Sequence, residues 1–393
     1  MTAATALVPA EPRALAPASP AHGRRSVAIF EGPQADYQPL ELDDLKHGRR
    51  PLDENVIRIN RFTAWPARLR TSLYFTIWRR RELWNYSFNF GETGAKYLRG
   101  MMTKRNRRKL EALGGPDTSF IVVRGLPTAS FLFPYPGTQR GLQEGLSERS
   151  FRHFDMMVAG LLFMAGAEVR RRYQNAAASA VRTLVSAPTE PQIGDRDGSD
   201  MHLRFHQSTV EKGLPDPTKP AAGEETCIVK AYACVRNRRR IPVYVLPVRE
   251  IVQCFEPHER DWLIAHLARP VYQKIGPHFD NNDAAVLTEG QPVLREGVEP
   301  GDWIMSYDPD RVWTEDENAK RALRRLRAAI VKARRNAIEV DVDRRDVLIV
   351  DNLRAMVSRR EFYPFTFGQA LRSWLFRKPR WLRMYYGFPL PRR

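Results

Sequence analysis

Two histidines, His202 and His206, lie four positions apart in the long polar stretch 188–220. On a helix that spacing would put both imidazoles on one face, as in zinc-binding pairs. The stretch has no HExxH signature, however, and its Gly, Asp and Pro content is typical of loop and strand. Ser208 follows closely, but nothing beyond its proximity to His206 indicates a Ser-His-Asp triad. The residues alone therefore leave a metal pair and a serine nucleophile as minor alternatives, in a loop long enough to indicate function.

The three cysteines, Cys227, Cys234 and Cys254, predict neither a metal site nor a disulfide framework. None of them falls in a CxxC or another metal-ligand spacing, and three cysteines do not build a disulfide scaffold. We expect them to be buried thiols of a protein in a reducing cytoplasm.

The composition is that of a globular protein with a strongly basic balance. Of the 393 residues, 43% are hydrophobic, which excludes disorder over the whole chain. The 63 Lys and Arg residues stand against 45 Asp and Glu, a formal charge of +18, and the excess is mostly arginine. Two interpretations stay open: an acidic or nucleic-acid partner, or the arginine usage of a GC-rich genome. No nucleic-acid recognition motif accompanies the charge, so nucleic-acid binding is the weakest hypothesis.

No segment predicts a secretory signal or a membrane span. The start of the chain, MTAATALVPAEPR, lacks a basic region followed by an apolar run. The most apolar stretch, 154–169, contains Asp155 and is too short to cross a bilayer. We predict a buried core helix there and expect no membrane association.

Composition divides the chain into three regions. Residues 1–27 are rich in Ala and Pro with almost no large apolar side chains, which predicts a disordered tail. Residues 28–113 form a basic region that we expect to be helical, with aromatic residues on one face and arginines on the other. Residues 114–393 contain most of the predicted strands and form the main domain.

The main domain is predicted to be mainly β with flanking helices. Strands are expected at 120–124, 180–185, 227–235, 243–246, 346–351 and 380–386. The clearest helix runs from Thr314 to about Asn336, with a capping box formed by Thr314 and Glu317. Its apolar residues recur at helical spacing: Ala319, Ala322, Leu323, Leu326, Ala329, Ile330 and Ala333. Strands on both sides of a long helix, without a Gly-rich phosphate loop, favour a β-sandwich or barrel braced by helices.

Five segments in this order resemble the clavaminate synthase-like branch of the TauD/TfdA-type iron(II)/2-oxoglutarate oxygenases. They are FIVVRGLP at 120–127, the stretch 192–206 ending in LRFH, CIVKAYACVR at 227–236, YDPDRVWTEDENAKRALRRL at 307–326, and DVLIVDNLRAMVSRREF at 346–362. The resemblance covers roughly residues 115–390. It implies a double-stranded β-helix, or cupin-like jelly roll, with helices packed on its outer sheet.

The same resemblance implies an iron(II) site built from a His-x-Asp/Glu motif and a distal histidine. The first motif falls at His206-Gln207-Ser208, where Ser208 stands at the carboxylate position. The distal histidine should follow the Asp351-Asn352 strand end, and Val357 stands there. The last histidine of the chain is His278, so no shift of the alignment supplies one. The expected triad is degenerate, with His206 as its single metal ligand.

The family holds 2-oxoglutarate through an arginine that pairs with the distal carboxylate of the ligand. By motif, RWLR, this residue is Arg380; by spacing from Val357 it is Arg372 in RSWL. The resemblance therefore makes 2-oxoglutarate a candidate ligand, with iron(II) expected from the family only. Asp351 could serve as a substitute metal ligand if its loop has moved.

Three classes of function stay open. The first is an enzyme acting on an amino-acid-like or acidic carrier-protein-bound substrate in a biosynthetic pathway, with an altered iron site or with non-oxidative chemistry at His206. The second is a non-catalytic or regulatory descendant, a pseudoenzyme that retains a carboxylate pocket. The third is a nucleic-acid binder.

Overall fold

The computed structural model describes most of the main domain and part of the region before it. The described residues are 51–59, 88–126, 152–170, 181–185, 203–208, 210, 213–215, 226–237, 241–275, 287–359 and 381–390. The predicted tail, residues 1–27, lies outside these ranges.

Strands dominate the described residues, and six helices accompany them. The strands are β1 Val56–Arg58, β2 Phe120–Arg124, β3 Ala167–Val169, β4 Val181–Val185, β5 Leu203–His206, β6 Val229–Arg236, β7 Val243–Pro247, β8 Tyr272–Ile275, β9 Leu287–Gln291, β10 Leu294–Glu296, β11 Trp303–Met305, β12 Val312–Trp313, β13 Ile338–Val340, β14 Val347–Asp351, β15 Ala355–Arg359 and β16 Trp381–Pro389. The helices are α1 Phe88–Arg99, α2 Lys104–Glu111, α3 Arg152–Met164, α4 Val248–Gln253, α5 Arg260–Leu267 and α6 Glu317–Ala333.

Two larger sheets carry the architecture. The seven-stranded sheet has the order β1-β2-β14-β6-β16-β3, and β4 pairs with β16 beside β3. The four-stranded sheet has the order β13-β7-β15-β5. Pairing in both is antiparallel except between β1 and β2. The remaining strands form the small sheets β12-β8-β9 and β10-β11.

Alternation of side chains along the strands assigns each sheet face to a core. On β14, Val347 and Ile349 belong to one apolar cluster with residues of α3, whereas Leu348 and Val350 belong to another. That second cluster also contains Val245 of the four-stranded sheet. Successive side chains of a strand point to opposite faces, so the two sheets enclose a common core while helices cover the outer face of the larger one.

The apolar helix predicted at 154–169 is only partly correct. Helix α3 ends at Met164, and after Gly166, whose φ of 79° is left-handed, the chain enters β3. Asp155 is accommodated in this apolar layer because its Oδ1 accepts a hydrogen bond of 2.6 Å from Tyr385 Oη. The buried helix is confirmed over its described length, and residues 167–169 are strand instead.

Helix α6 confirms the predicted apolar face, since all seven predicted residues are buried. The predicted capping box is wrong. Asp316 is the N-cap and accepts from Ala319 N at 2.8 Å, while Thr314 Oγ1 donates to Val271 O at 2.8 Å. The Thr314 hydroxyl, which the local pattern assigned to the helix cap, donates instead to a residue 43 positions away.

The region 28–113 contains α1 and α2 among its described residues, together with strand β1. Leu98 of α1 and Leu110 of α2 share the apolar cluster that covers β2. The domain limits at 27 and 113 stay a prediction. Within the described part of the chain, no helix is both long and apolar enough to pass through a membrane.

Candidate functional site

His206 and Val357 lie opposite each other on neighbouring strands. His206 ends β5, and its Cα is the register partner of Val357 on β15. Both side chains are buried. The resemblance assigns both positions to one metal site, and the structure does bring them together. His206 is part of a strand and not of a helical metal-binding pair. His202 lies outside the described residues.

The hydrogen bond of His206 defines its neutral tautomer. Nδ1 lies 2.9 Å from the backbone carbonyl oxygen of Arg204. A carbonyl only accepts, so Nδ1 carries the proton and Nε2 carries the lone pair of the neutral ring. His206 thus has the tautomer that a ligand to metal through Nε2 needs.

Ser208, at the expected carboxylate position, accepts a hydrogen bond from a buried lysine. Lys230 Nζ lies 2.6 Å from Ser208 Oγ, and Lys230 is only 1% exposed. The ammonium also lies over two aromatic rings, 4.9 Å from the centroid of Tyr232 and 6.0 Å from that of Tyr386. Ring faces attract a cation, so the two rings and the hydroxyl favour the charged form of the lysine, whereas its burial acts in the opposite direction.

Strand β6 positions Lys230 between the two sheets. Val229 and Ala231 belong to the cluster under the helices, whereas Tyr232 belongs to the cluster between the sheets. Lys230 has the parity of Tyr232, so its side chain enters the inter-sheet core. Sequence reasoning missed this residue, although the sequence carried a signal. Lysine is almost never fully buried unless it is paired, so a lysine at an inward position of an apolar strand indicates a buried partner.

Asn352 and Gln207 fix the backbone around Ser208. Asn352 Oδ1 accepts from Ser208 N at 3.0 Å, and its Nδ2 donates to Ser208 O at 2.8 Å and to Cys227 O at 3.0 Å. Gln207 Nε2 donates to Asn352 O at 2.7 Å, and its Oε1 accepts from Tyr307 N at 3.0 Å. The amide of Ser208 is thereby engaged and does not serve as an oxyanion donor, which argues against Ser208 as a nucleophile.

Asp351 has a structural role and is not a substitute metal ligand. Its Oδ1 accepts from the backbone amides of Leu353 and Arg354, and its Oδ2 accepts from Arg354 Nη1 at 3.0 Å. Arg354 also pairs with Asp302 at 2.6 Å. Burial raises the pKa of Asp351, against the lowering effect of Arg354. Both carboxylate oxygens are committed to holding the turn between β14 and β15.

The donor set does not fit an iron(II) site of the kind that the resemblance implies. His206 offers one imidazole, but Val357 has no lone pair, and the hydroxyl of Ser208 is paired with a cation. Across the ranges that the structure describes, no group of three or more His, Cys, Asp and Glu side chains is arranged to hold a metal. The candidate carboxylate-binding arginines, Arg372 and Arg380, lie outside the described residues, although Arg380 directly precedes β16 in the sequence.

Solved structures of similar fold exist, although sequence comparison finds no relative. No family model and no curated protein matches the chain. Among solved structures, asparagine oxygenase in complex with Fe(II), 2S,3S-3-hydroxyasparagine and succinate is similar with a TM-score of 0.61 and 19% identity, over 86% of this chain and 93% of that chain. Non-heme iron oxygenase OrfP in complex with Fe, succinate and (3R,4R)-dihydroxy-L-Arg is similar with a TM-score of 0.58 and 16% identity, over 84% and 93%. The chain has the fold of non-heme iron oxygenases, which confirms the resemblance seen in the sequence.

Proposed function

We propose that the protein binds a small amino-acid-like carboxylate between its two sheets and does not oxidise it through iron. The hydrogen bond between Lys230 and Ser208 carries this proposal. The resembled family needs an anionic ligand at that position to balance iron(II). Here a neutral hydroxyl stands there with an ammonium donating to it, so the local charge has changed from one that attracts a metal cation to one that repels it.

The fold supports a pocket of this kind. Strands β4, β16, β6 and β14 of the larger sheet would face β5, β15, β7 and β13 of the smaller one as the two halves of a double-stranded β-helix. The shared apolar cluster and the antiparallel strand order support this jelly-roll assignment. His206, Ser208 and Val357 then lie where the resembled family carries its metal ligands.

The chemistry of the ligand follows from the basic groups and from the similar structures. Asparagine oxygenase was solved with a hydroxylated asparagine and succinate, and OrfP with a hydroxylated arginine and succinate. We propose that the present pocket takes an amino acid, or an amino-acid-like group presented by an acidic carrier protein. Arg380, or Arg372, would pair with a second carboxylate. The basic charge of the chain favours an acidic partner without requiring nucleic acid.

Metal analysis tests the proposal directly. Protein purified without chelators should contain far less than one equivalent of iron by inductively coupled plasma mass spectrometry. Anaerobic incubation with iron(II), 2-oxoglutarate and then oxygen should release no succinate above a protein-free control. One equivalent of bound iron together with succinate release would overturn the proposal and make the protein an oxygenase with an unusual ligand set.

A further inference from the structure

The outer side of helix α6 carries a row of cations with two small apolar residues at its centre. These residues recur at intervals of three and four, so they share one side of the helix, and all of them are exposed. They are Arg321, Arg324, Arg325, Ala328, Val331 and Lys332, and Arg335 follows in the 3-10 turn Arg334–Asn336. We name these seven residues the α6 face.

Ion pairs hold part of the row in place. Glu259 accepts from Nε and Nη2 of Arg325 at 3.1 and 3.2 Å, and from Nη2 of Arg321 at 3.4 Å. Lys332 Nζ lies 2.9 Å from Glu256. Three cations thus share two carboxylates. A guanidinium that is fixed in this way loses less conformational freedom when a partner binds.

The remaining cations give the α6 face an excess of positive charge. Within the part of the chain that the structure describes, Arg324 and Arg335 form no ion pair. At the start of the helix, Glu317 is balanced by Lys320, 2.8 Å away. Five cations on the face therefore stand against the two carboxylates of the preceding paragraph, an excess of three positive charges.

The apolar centre of the face indicates a protein partner. Among the described residues, Val331 is one of three exposed large hydrophobic side chains, and Ala328 lies one turn before it. An apolar centre with a charged rim is the usual arrangement of a protein–protein interface. The positive excess requires that the partner be acidic, and it opposes the pairing of this face with a second copy of itself.

The neighbouring aromatic residue does not offer a platform for nucleic acid. Trp262 of α5 lies under the Arg321 guanidinium, 5.1 Å from the ring centroid, and stacks on His266 at 4.2 Å. Bases bind to open aromatic faces, and this ring already contacts a guanidinium and an imidazole. A phosphate backbone alone would use the cations and gain nothing from the apolar centre.

We propose that the α6 face is a docking surface for an acidic amphipathic helix of a partner protein. The apolar seam of that helix packs on Ala328 and Val331, and its carboxylates pair with Arg324 and Arg335. The row from Arg321 to Arg335 is about 21 Å long, which matches about four helical turns. The inference rests on the proposed function, because it names the surface at which the acidic carrier of the amino-acid-like ligand docks.

The first test uses a synthetic helical peptide of about 18 residues as the probe. The peptide consists of Glu, Ala and Leu, with Leu in one stripe and Glu on both sides, and an isomer with the same composition and dispersed Leu is its control. Fluorescence anisotropy with the full chain should show binding of the peptide and about tenfold weaker binding of the isomer. Raising the salt from about 10 to about 150 mM should weaken binding, because the screening length falls from about 30 to about 8 Å.

Charge reversal tests the location of the surface. Arg324→Glu with Arg335→Glu should weaken peptide binding by about tenfold or more, because two attractive contacts become repulsive. Arg105→Glu with Arg108→Glu is the matched control. Both residues are exposed cations of α2, which belongs to a different apolar cluster from α6, and the change in net charge is the same. The control should bind the peptide as the parent does, and circular dichroism checks that both variants are folded.

Val331→Lys separates a protein partner from nucleic acid. It adds a cation to the α6 face but removes an apolar contact, so peptide binding should weaken by about fivefold. A DNA duplex of about 20 base pairs is titrated in parallel, and a phosphate-binding surface would bind it more tightly in this variant. DNA that binds the parent more tightly than the peptide does, and more tightly still after Val331→Lys, overturns the inference in favour of nucleic acid.

The inference is also overturned if the peptide does not bind the parent, or if the α6 and α2 reversals have equal effects. Neither result touches the proposed function, which stands as long as the purified parent is free of iron. Stoichiometric iron with succinate release overturns the proposed function instead and leaves the peptide measurements as they are.

Discussion

Asn352 holds Ser208 by both of its backbone groups, accepting from Ser208 N at 3.0 Å and donating to Ser208 O at 2.8 Å. One amide side chain thus fixes the segment after β5 to the turn after β14, 144 residues further along the chain. The same Nδ2 also reaches Cys227 O at 3.0 Å, just before β6. Asn352 therefore sets the distance between the Ser208 hydroxyl and the strand that carries Lys230.

Replacing Asn352 by Asp should destabilise the protein without changing the shape of the side chain. The carboxylate keeps an acceptor for Ser208 N but loses both donors, so the buried carbonyls of Ser208 and Cys227 lose their partner and face a negative charge. We expect a loss of about 2–3 kcal/mol in the free energy of unfolding. Urea titration followed by circular dichroism measures it.

Asn318→Asp is the control for this substitution, because Asn318 is exposed on the first turn of α6. A surface change of that kind should stay within about 0.5 kcal/mol of the parent. Equal stabilities of the two variants would mean that the hydrogen bonds of Asn352 to the backbone of Ser208 do not contribute to folding.

Tyr307 should make the protein sensitive to alkali. Burial raises the pKa of Tyr307 to about 12 from an ordinary value of 10.0, although Arg327 Nε, 3.0 Å from its hydroxyl, acts in the opposite direction. The unfolded chain loses this proton first, so stability is complete below pH 10 and falls as the pH rises from 10 towards 12. The shift corresponds to a loss of about 3 kcal/mol over that interval.

Urea titrations between pH 9 and pH 12 check this prediction. Tyr307→Phe should be less stable than the parent at pH 9, because the hydrogen bond to Arg327 is absent, and should lose less stability towards pH 12. Burial also raises the pKa of Tyr272, which remains in the variant. Tyr272 should therefore account for any loss of stability that the variant still shows near pH 12. Parallel curves for parent and variant would contradict a role for Tyr307.

Local periodicity predicted the elements whose burial is decided within one strand or helix. The strand at 120–124 appears with the predicted bounds, and the apolar face of α6 is fully buried. The predicted capping box failed because Thr314 donates instead to Val271, 43 residues away. A sequence pattern cannot weigh a contact that exists only after distant segments have packed.

In the candidate site, too, some features could be predicted from the sequence, whereas contacts between distant segments could not. The segment order predicted that His206 and Val357 face each other, since a family resemblance carries topology with it. It did not predict Lys230, because its partner Ser208 is 22 residues away and lies just beyond the end of a strand of the other sheet. The parity of β6 could have indicated an inward lysine, but only the assembled sheets identify which polar group it meets.

Close contact of α1 and α3 should make Gly160 intolerant of a side chain. A Cβ at Gly160 would lie 2.8 Å from the Cα of Gly94 and closer still to its carbonyl carbon, and backbone atoms cannot move aside as a flexible side chain can. Gly160→Ala should therefore separate the helices that cover the larger sheet, at a cost of about 1–3 kcal/mol.

Thermal unfolding of Gly160→Ala and Gly100→Ala tests this packing. Gly100 is exposed just beyond the end of α1, and a Cβ there would meet Tyr97 O at an ordinary 3.6 Å. The Gly160 variant should melt several degrees below the parent, and the Gly100 variant close to it. Similar melting temperatures would show that the two helices separate without cost.

An arginine should hold a carboxylate of the ligand, and Arg380 is the residue that the RWLR motif favours for this role. A guanidinium pairs with a carboxylate through two parallel hydrogen bonds, each contributing about 1.5–3 kcal/mol. Arg380→Ala should therefore weaken succinate binding by about 100-fold or more, whereas Arg372→Ala should leave it unchanged. Calorimetry with succinate on the parent and on both variants measures this loss. If the Arg372 variant shows the loss instead, spacing from Val357 and not the RWLR motif identifies the arginine. If neither variant alters succinate binding, the arginine that the resemblance implies has no part in holding a carboxylate, and the proposed carboxylate pocket is contradicted.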